Sequence, residues 1–157
     1  MKPVYRFTLA IVLCELAGLV GALFVSPAMS WYATLHLPAF NPPNWLFAPV
    51  WIVLYASMGI ALELLASHKA SLGEKAQAYM WFWTQIILNM IWPAIFFGLH
   101  AQAVALIVLF ALWIAILGTF FAFREISKPA AWLMVPYLLW TTFALVLNFA
   151  IWRVNGG

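Results

Sequence analysis

The sequence predicts an all-α membrane protein, a bundle of five transmembrane helices, and three observations lead to that prediction. The chain has 157 residues, of which 68% are hydrophobic and only 7% are charged. A soluble domain of this size cannot bury so much apolar surface, because its exterior must carry polar groups. Five apolar runs are each long enough to cross roughly 30 Å of hydrocarbon at ~1.5 Å per residue. Since backbone groups in lipid must pair within their own segment, these runs are expected to be helices.

Polar or irregular segments separate the five predicted helices, which leave no length for a second domain. The first run follows Lys2; its apolar stretch is too long for a signal-peptide core, and SPAMS is a poor cleavage site. The second run follows Pro42-Pro43, and the third lies between SHKASLGEK and GLHAQ. The fourth ends at REISK, and the fifth ends before Arg153. The predicted spans are 5–25, 45–66, 76–97, 103–123 and 130–152.

The connection 26–44 between the first two helices is aromatic, irregular and rich in proline. Its stretch WYATLHLPAFNPPNW carries no Asp, Glu, Lys or Arg, and Pro38, Pro42 and Pro43 rule out a regular spanning helix. Prolines restrict a loop at low entropic cost, and aromatic side chains favour the membrane interface. We therefore predict that segment 26–44 is a lid over the outer half of the bundle.

The few charged residues predict an orientation but no binding patch for nucleic acid. If the chain crosses the membrane five times, six basic residues lie on one side of the membrane and only Arg153 lies on the other. Because cytoplasmic loops are enriched in Lys and Arg, the N-terminus is expected in the cytoplasm and the C-terminus outside. A bacterial envelope is the expected location, with the inner and outer membranes both left open. The single cysteine, Cys14, excludes a disulfide framework.

Aromatic and polar side chains of three predicted helices lie at similar depths in the outer half. At ~1.5 Å per residue, Trp51 lies ~9 Å, Trp92 ~8 Å and Asn89 ~12 Å below the outer helix ends. On the fifth helix, Leu147, Ala144, Phe143 and Trp140 lie ~8, ~12, ~14 and ~18 Å deep. Their spacing places them on one stripe of each helix, and the small residues Gly18, Gly21 and Ala22 of the first helix leave space beside them.

These positions also admit structural explanations. Buried amides such as Asn89 and Gln85 commonly bridge membrane helices, and Trp is often an interfacial anchor. We interpret Trp45, Trp81, Trp83, Trp132 and Trp152 as anchors, whereas Trp51, Trp92 and Trp140 lie deeper than an anchor requires. Glu15, near the membrane midplane, is either a functional group or a protonated side chain bonded to a neighbouring helix.

The motifs resemble the TspO/MBR family of translocator proteins, peripheral-type benzodiazepine receptors and tryptophan-rich sensory proteins. The matching residues include Trp31-Tyr32, Pro42-Pro43, Trp45, Pro49, Trp51, Gln85 and Asn89, WPAIFFG at 92–98, and PYLLWTTFALVLNFAIWR at 136–153. The resemblance implies a five-helix bundle, usually a homodimer, with one cavity closed by the first loop. It implies binding of protoporphyrin IX, haem and PK11195-like ligands, with no required cofactor and no metal site. Cholesterol binding is discounted, because Phe149 replaces the tyrosine of the sterol-recognition pattern.

The resemblance implies ligand-binding residues at the matching positions of this sequence, and the depth analysis points to the same part of the bundle. Together they predict these ligand-binding residues: Ala22, Tyr32, Pro42, Ala48, Trp51, Tyr55, Asn89, Trp92, Trp140, Phe143, Ala144 and Leu147.

Three functions remain open from the sequence. The preferred one is a tetrapyrrole-binding membrane protein acting in porphyrin handling or stress sensing. The second is an enzyme that degrades protoporphyrin in light, with Trp51 and Trp140 in the catalytic role that the resemblance implies. The third is a transporter of porphyrin or lipid, which five helices do not favour, because they cannot divide into equal halves. No Ser/His/Asp or Cys/His set lies at a shared depth, and His36 in the loop is more simply a solvated side chain than a haem ligand.

Overall fold

The computed structural model describes residues 2–156, which form a bundle of helices with no β-strand in that range. Within these residues, five helical segments are long and apolar enough to cross a membrane, which confirms the five-helix prediction. The α-helices, in chain order, are α1 (Pro3–Val25), α2 (Met29–Tyr32), α3 (Asn44–Ser67), α4 (Leu72–Pro93), α5 (Gln102–Ile126), α6 (Lys128–Trp132) and α7 (Val135–Val154).

The first part of the predicted lid is helical. After α1 the chain continues through a 3₁₀ helix (Ser26–Ala28) into α2, so only residues 33–43 connect α2 to α3 without a helix. Pro27 does not end the helical path, because it occupies the first turn of the 3₁₀ helix, where a missing N–H is not needed. The predicted lid therefore consists of two parts, which are a helical extension (26–32) and a proline-rich segment (33–43).

The connection between α3 and α4 is short and well capped. Ser71 and Glu74 form a reciprocal capping box at the start of α4. The Lys75 ammonium donates hydrogen bonds to the carbonyl oxygens of Ala66 (2.9 Å) and His68 (2.7 Å), which satisfies the end of α3. These bonds hold the two helix ends together at one side of the bundle.

Two irregularities interrupt the later helices, and proline accounts for both. Pro93 is the last residue of α4, and the chain continues directly into a π-helical turn, Ala94–Gly98. After this turn, the Leu99 N–H donates to the Ala94 carbonyl at 3.0 Å. The predicted fifth helix is broken by a turn at 133–134, between α6 and α7. Pro136 lies in the first turn of α7, where it cannot continue a helix from the preceding residues.

The helices pack closely where small residues allow it. A Cβ added at Gly59 in α3 would lie 2.5 Å from the Cα of Ile11 in α1, so the two backbones touch at this glycine. Ala17 and Gly21 are buried within the chain, and so is Ala115 of α5. The small-residue positions of α1 are therefore occupied by contacts inside one chain.

Candidate functional site

A cavity of about 410 Å³ lies in the half of the bundle that contains the helical extension. Residues of α1, α2, α3, α4, α7 and the two irregular helical turns line it, and nearly all of its surface is apolar. This volume falls in the usual range for small-molecule sites, which are apolar clefts with a few placed polar groups. The cavity is the candidate functional site.

Three indoles form much of the aromatic lining. Trp51 of α3, Trp92 of α4 and Trp140 of α7 all line the cavity. Trp51 packs against Tyr55 with ring centroids 5.7 Å apart, and Trp140 packs against Phe47 at 6.0 Å. Indoles from three helices therefore converge on one space, as their predicted depths indicated.

A chain of hydrogen bonds fixes the orientation of Trp92. The Trp92 Nε1–H donates to Asn148 Oδ1 at 3.2 Å, and Asn148 Nδ2 donates to the Gln102 carbonyl at 3.0 Å. Gln102 begins α5, so its carbonyl belongs to a helix other than those that carry Trp92 and Asn148. The chain joins α4, α7 and α5 at one edge of the cavity.

Asn89 supplies a hydrogen-bond donor that no described residue satisfies. Its side chain lines the cavity and is only 2% exposed, and Nδ2 has no hydrogen-bond partner within residues 2–156. An unpaired buried donor is unfavourable, by about 1–3 kcal/mol. A ligand with an acceptor oxygen would relieve that penalty.

The proline-rich segment (33–43) is held by hydrogen bonds to Tyr32 and Asn155. The Tyr32 hydroxyl donates to Asn41 Oδ1 at 2.8 Å, within the lid itself. His36 and Asn155 exchange two hydrogen bonds of 2.9 Å, which tie the segment to the end of α7. The helical extension, through Ser26, Met29 and Tyr32, forms part of the cavity wall.

All but two of the predicted ligand-binding residues line the cavity. The exceptions are Pro42, whose carbonyl accepts from Asn41 Nδ2 at 3.0 Å, and Phe143. The Phe143 ring packs against Phe40 and Trp140, with centroids 6.4 and 5.5 Å away, so it supports the wall from behind. The lining residues that the sequence predicted are Ala22, Tyr32, Ala48, Trp51, Tyr55, Asn89, Trp92, Trp140, Ala144 and Leu147.

Several lining residues were not predicted as ligand-binding, and some carried a readable signal. Ser26 and Met29 were missed, although they follow the predicted residue Ala22 at the i+4 and i+7 positions of one helical stripe, because residues 26–32 were assigned to a loop. Pro93 and Phe96 come from the end of α4 and the π-helical turn, whose geometry a periodic pattern does not describe.

Neither His36 nor His100 lines the cavity. His36 lies in the tethered segment, and the His100 ring stacks on Trp31 with centroids 3.9 Å apart. Within residues 2–156, no three His, Cys, Asp or Glu side chains group in a way that suits a metal ion.

Comparisons with known proteins show extensive similarity. The model of the TspO/MBR family matches residues 10–153. The chain is 41% identical to the tryptophan-rich protein TspO of Chlorobaculum tepidum, over 98% of each chain. It is 40% identical to protein CrtK of Rhodobacter capsulatus, over 96% of this chain and 93% of that one. It is 38% identical to the human translocator protein, over 99% of this chain and 91% of the human one.

Proposed function

Because the chain belongs to the TspO/MBR family, we propose that it is a membrane binding protein for tetrapyrroles such as protoporphyrin IX and haem. Other flat, apolar molecules of the PK11195 kind are alternative ligands of the same cavity. The proposed role is porphyrin handling or stress sensing. The observation that carries the proposal is the presence of three indoles and one unpartnered amide on the wall of a single apolar cavity.

A porphyrin matches this wall chemically. It is a flat, largely apolar disc, and aromatic rings prefer offset stacking, worth about 0.5–1.5 kcal/mol per pair beyond the buried area. Trp51, Trp92 and Trp140 offer such rings from three directions. The Asn89 amide donates to an acceptor at the edge of the ligand, which fixes one orientation.

Titration of protoporphyrin IX against tryptophan fluorescence tests the proposal. Trp51→Phe and Trp140→Phe are each expected to weaken binding by about twofold to tenfold, since each removes part of one stacking surface. Trp132→Phe is the matched control, because Trp132 is 65% exposed and does not line the cavity. Affinity unchanged in both cavity variants, or lowered equally in the control, would contradict the proposal.

A second candidate function is light-dependent degradation of protoporphyrin by dioxygen. Trp51 and Trp140 favour it, because both indoles line the cavity and would lie beside an excited porphyrin as electron donors. Loss of porphyrin absorbance in aerobic light is expected to be slower with Trp140→Phe than with wild type when both are saturated with ligand. Equal rates in the two proteins would indicate incidental photobleaching.

A further inference from the structure

Glu15 is a carboxyl group in the middle of a membrane-spanning helix. At about 1.5 Å per residue, it lies about 18 Å along α1 from Pro3. The first span covers Pro3–Tyr32, so this position is near its centre. Carboxyl groups at such a depth are unfavourable and commonly have a functional role.

No described residue pairs with Glu15. Within residues 2–156 it makes no hydrogen bond and no ion pair, so a bond to a neighbouring helix does not account for it. The basic residue of the same helix, Arg6, binds Glu63 at 2.9 Å, and Ser67 donates to the same Glu63 oxygen. The Glu63 carboxylate is buried and paired. Among the described residues, Glu15 thus differs from Glu63 in having no partner.

Glu15 lies on the cavity wall where lining residues of α1 and α3 are also exposed on the outer surface of the bundle. Leu19 of α1 and Ile52 of α3 line the cavity, yet they are 61% and 58% exposed on the outer surface of the bundle. Between these helices, Gly18 faces Tyr55 so closely that an added Cβ would lie 2.5 Å from the ring. The missing side chain at Gly18 therefore lets the Tyr55 ring pack directly against α1, about one turn from Glu15.

Two of the polar groups on the cavity wall have no partner among residues 2–156. Asn89 Nδ2 on α4 is a donor without one, and the Glu15 carboxyl on α1 is an acceptor without one. Most of the lining is apolar, so these two groups, together with polar side chains such as Ser26 and Asn44, orient a polar ligand.

We propose that Glu15 is a specificity-determining residue of the cavity, which selects ligands that place an amine or another N–H donor against α1 and disfavours a carboxylate there. The inference rests on the proposed function in one respect, namely that the cavity binds flat aromatic ligands. For a porphyrin, the consequence is that its two propionates lie away from α1.

Three pyrene probes of the same ring system and different charge test this inference. Pyren-1-ylmethylamine, pyren-1-ylmethanol and pyrene-1-carboxylate are titrated near neutral pH, with quenching of tryptophan fluorescence as the readout. Glu15→Gln keeps the size of the side chain and replaces its carboxyl group with an amide. The preference for the amine over the alcohol is expected to fall about tenfold, as for loss of a charged hydrogen bond, and carboxylate binding should strengthen several-fold.

Glu125→Gln is the matched control, because it removes the same charge at an exposed position of α5 outside the cavity. It should leave all three affinities unchanged. If wild type binds pyren-1-ylmethanol and Glu15→Gln leaves the amine and carboxylate preferences unaltered, the inference about Glu15 fails and cavity binding stands. If wild type binds protoporphyrin IX but none of the three probes, the inference about Glu15 fails and the proposed function stands; if it binds neither, both are overturned.

Discussion

The side chain of Asn148 connects the ligand cavity to the packing of three helices. It accepts from Trp92 and donates to the carbonyl of Gln102, and it is only 2% exposed. Buried amides with both partners in place hold neighbouring groups in one geometry. The orientation of the Trp92 indole therefore depends on a residue of another helix.

Replacing Asn148 with leucine should disturb both binding and stability. The indole N–H of Trp92 and the Gln102 carbonyl would each lose a partner, for a destabilisation of about 1–3 kcal/mol. Porphyrin affinity is also expected to fall, since the indole is no longer held. Thermal unfolding followed by circular dichroism, together with fluorescence titration, measures the two effects.

Thr142→Val provides the control for this change. Thr142 accepts a 2.8 Å bond from the Trp113 indole on the exposed surface, so the variant removes a similar bond outside the cavity. Its porphyrin affinity should equal that of wild type. A drop in affinity as large as that of Asn148→Leu would show that any loss of a tryptophan bond weakens binding.

Among single residues, the sequence predicted the cavity positions of side chains that lie on one regular stripe of a helix. Trp51, Asn89, Trp92 and Trp140 follow from depth and periodicity, because straight helices carry both. The role of Asn148 was not predicted, because its partner is a carbonyl in a different helix and no spacing in the sequence reveals that contact. No spacing in the sequence reveals that Glu15 lacks a partner among residues 2–156 either.

The two parts of the lid are held in different ways. The helical extension continues α1 and lines the cavity, whereas the proline-rich segment is held at Asn41 and Asn155. Neither Pro42 nor the rest of that segment lines the cavity. If the cavity binds a ligand as proposed, we expect this segment to contribute by holding α2 and the start of α3 in place.

Pro42→Ala combined with Pro43→Ala should accelerate ligand release. Each proline restricts the unfolded loop by about 0.4–1 kcal/mol relative to a freer residue, so the segment would sample more open conformations. The off-rate is expected to rise severalfold with little change in the on-rate, measured by stopped-flow displacement of protoporphyrin IX. Pro129→Ala, in the first turn of α6, is the control. An unaltered off-rate would make the segment a simple connector.

The sequence predicted the number of long helices and missed their irregular ends. Hydropathy identifies a span by composition, which is why the five-helix fold is confirmed. It does not distinguish a proline that ends a helix, such as Pro93, from one that starts a helical turn, such as Pro27. That distinction depends on which carbonyl the missing N–H would have bonded.

In the whole molecule, the basic residues gather at one end of the bundle. Arg6 near the start of α1 reaches Glu63 near the end of α3, and Lys75 at the start of α4 binds the end of α3. Phe82 of α4 stacks on Phe123 of α5 at 5.8 Å, which places the end of α5 at the same side. Arg153, near the end of α7, belongs to the opposite end, where Asn155 binds the lid.

This asymmetry predicts that the basic end faces the cytoplasm and the lid faces outward, because positively charged loops are retained inside. In a Cys14→Ala background, single cysteines replace Ala39 in the lid and His68 after α3, both exposed positions. A membrane-impermeant maleimide applied to spheroplasts should label Ala39→Cys at once and His68→Cys only after permeabilisation. Both positions react in detergent, which controls for accessibility. Labelling of His68→Cys in intact spheroplasts would contradict the predicted orientation and place the lid on the cytoplasmic side.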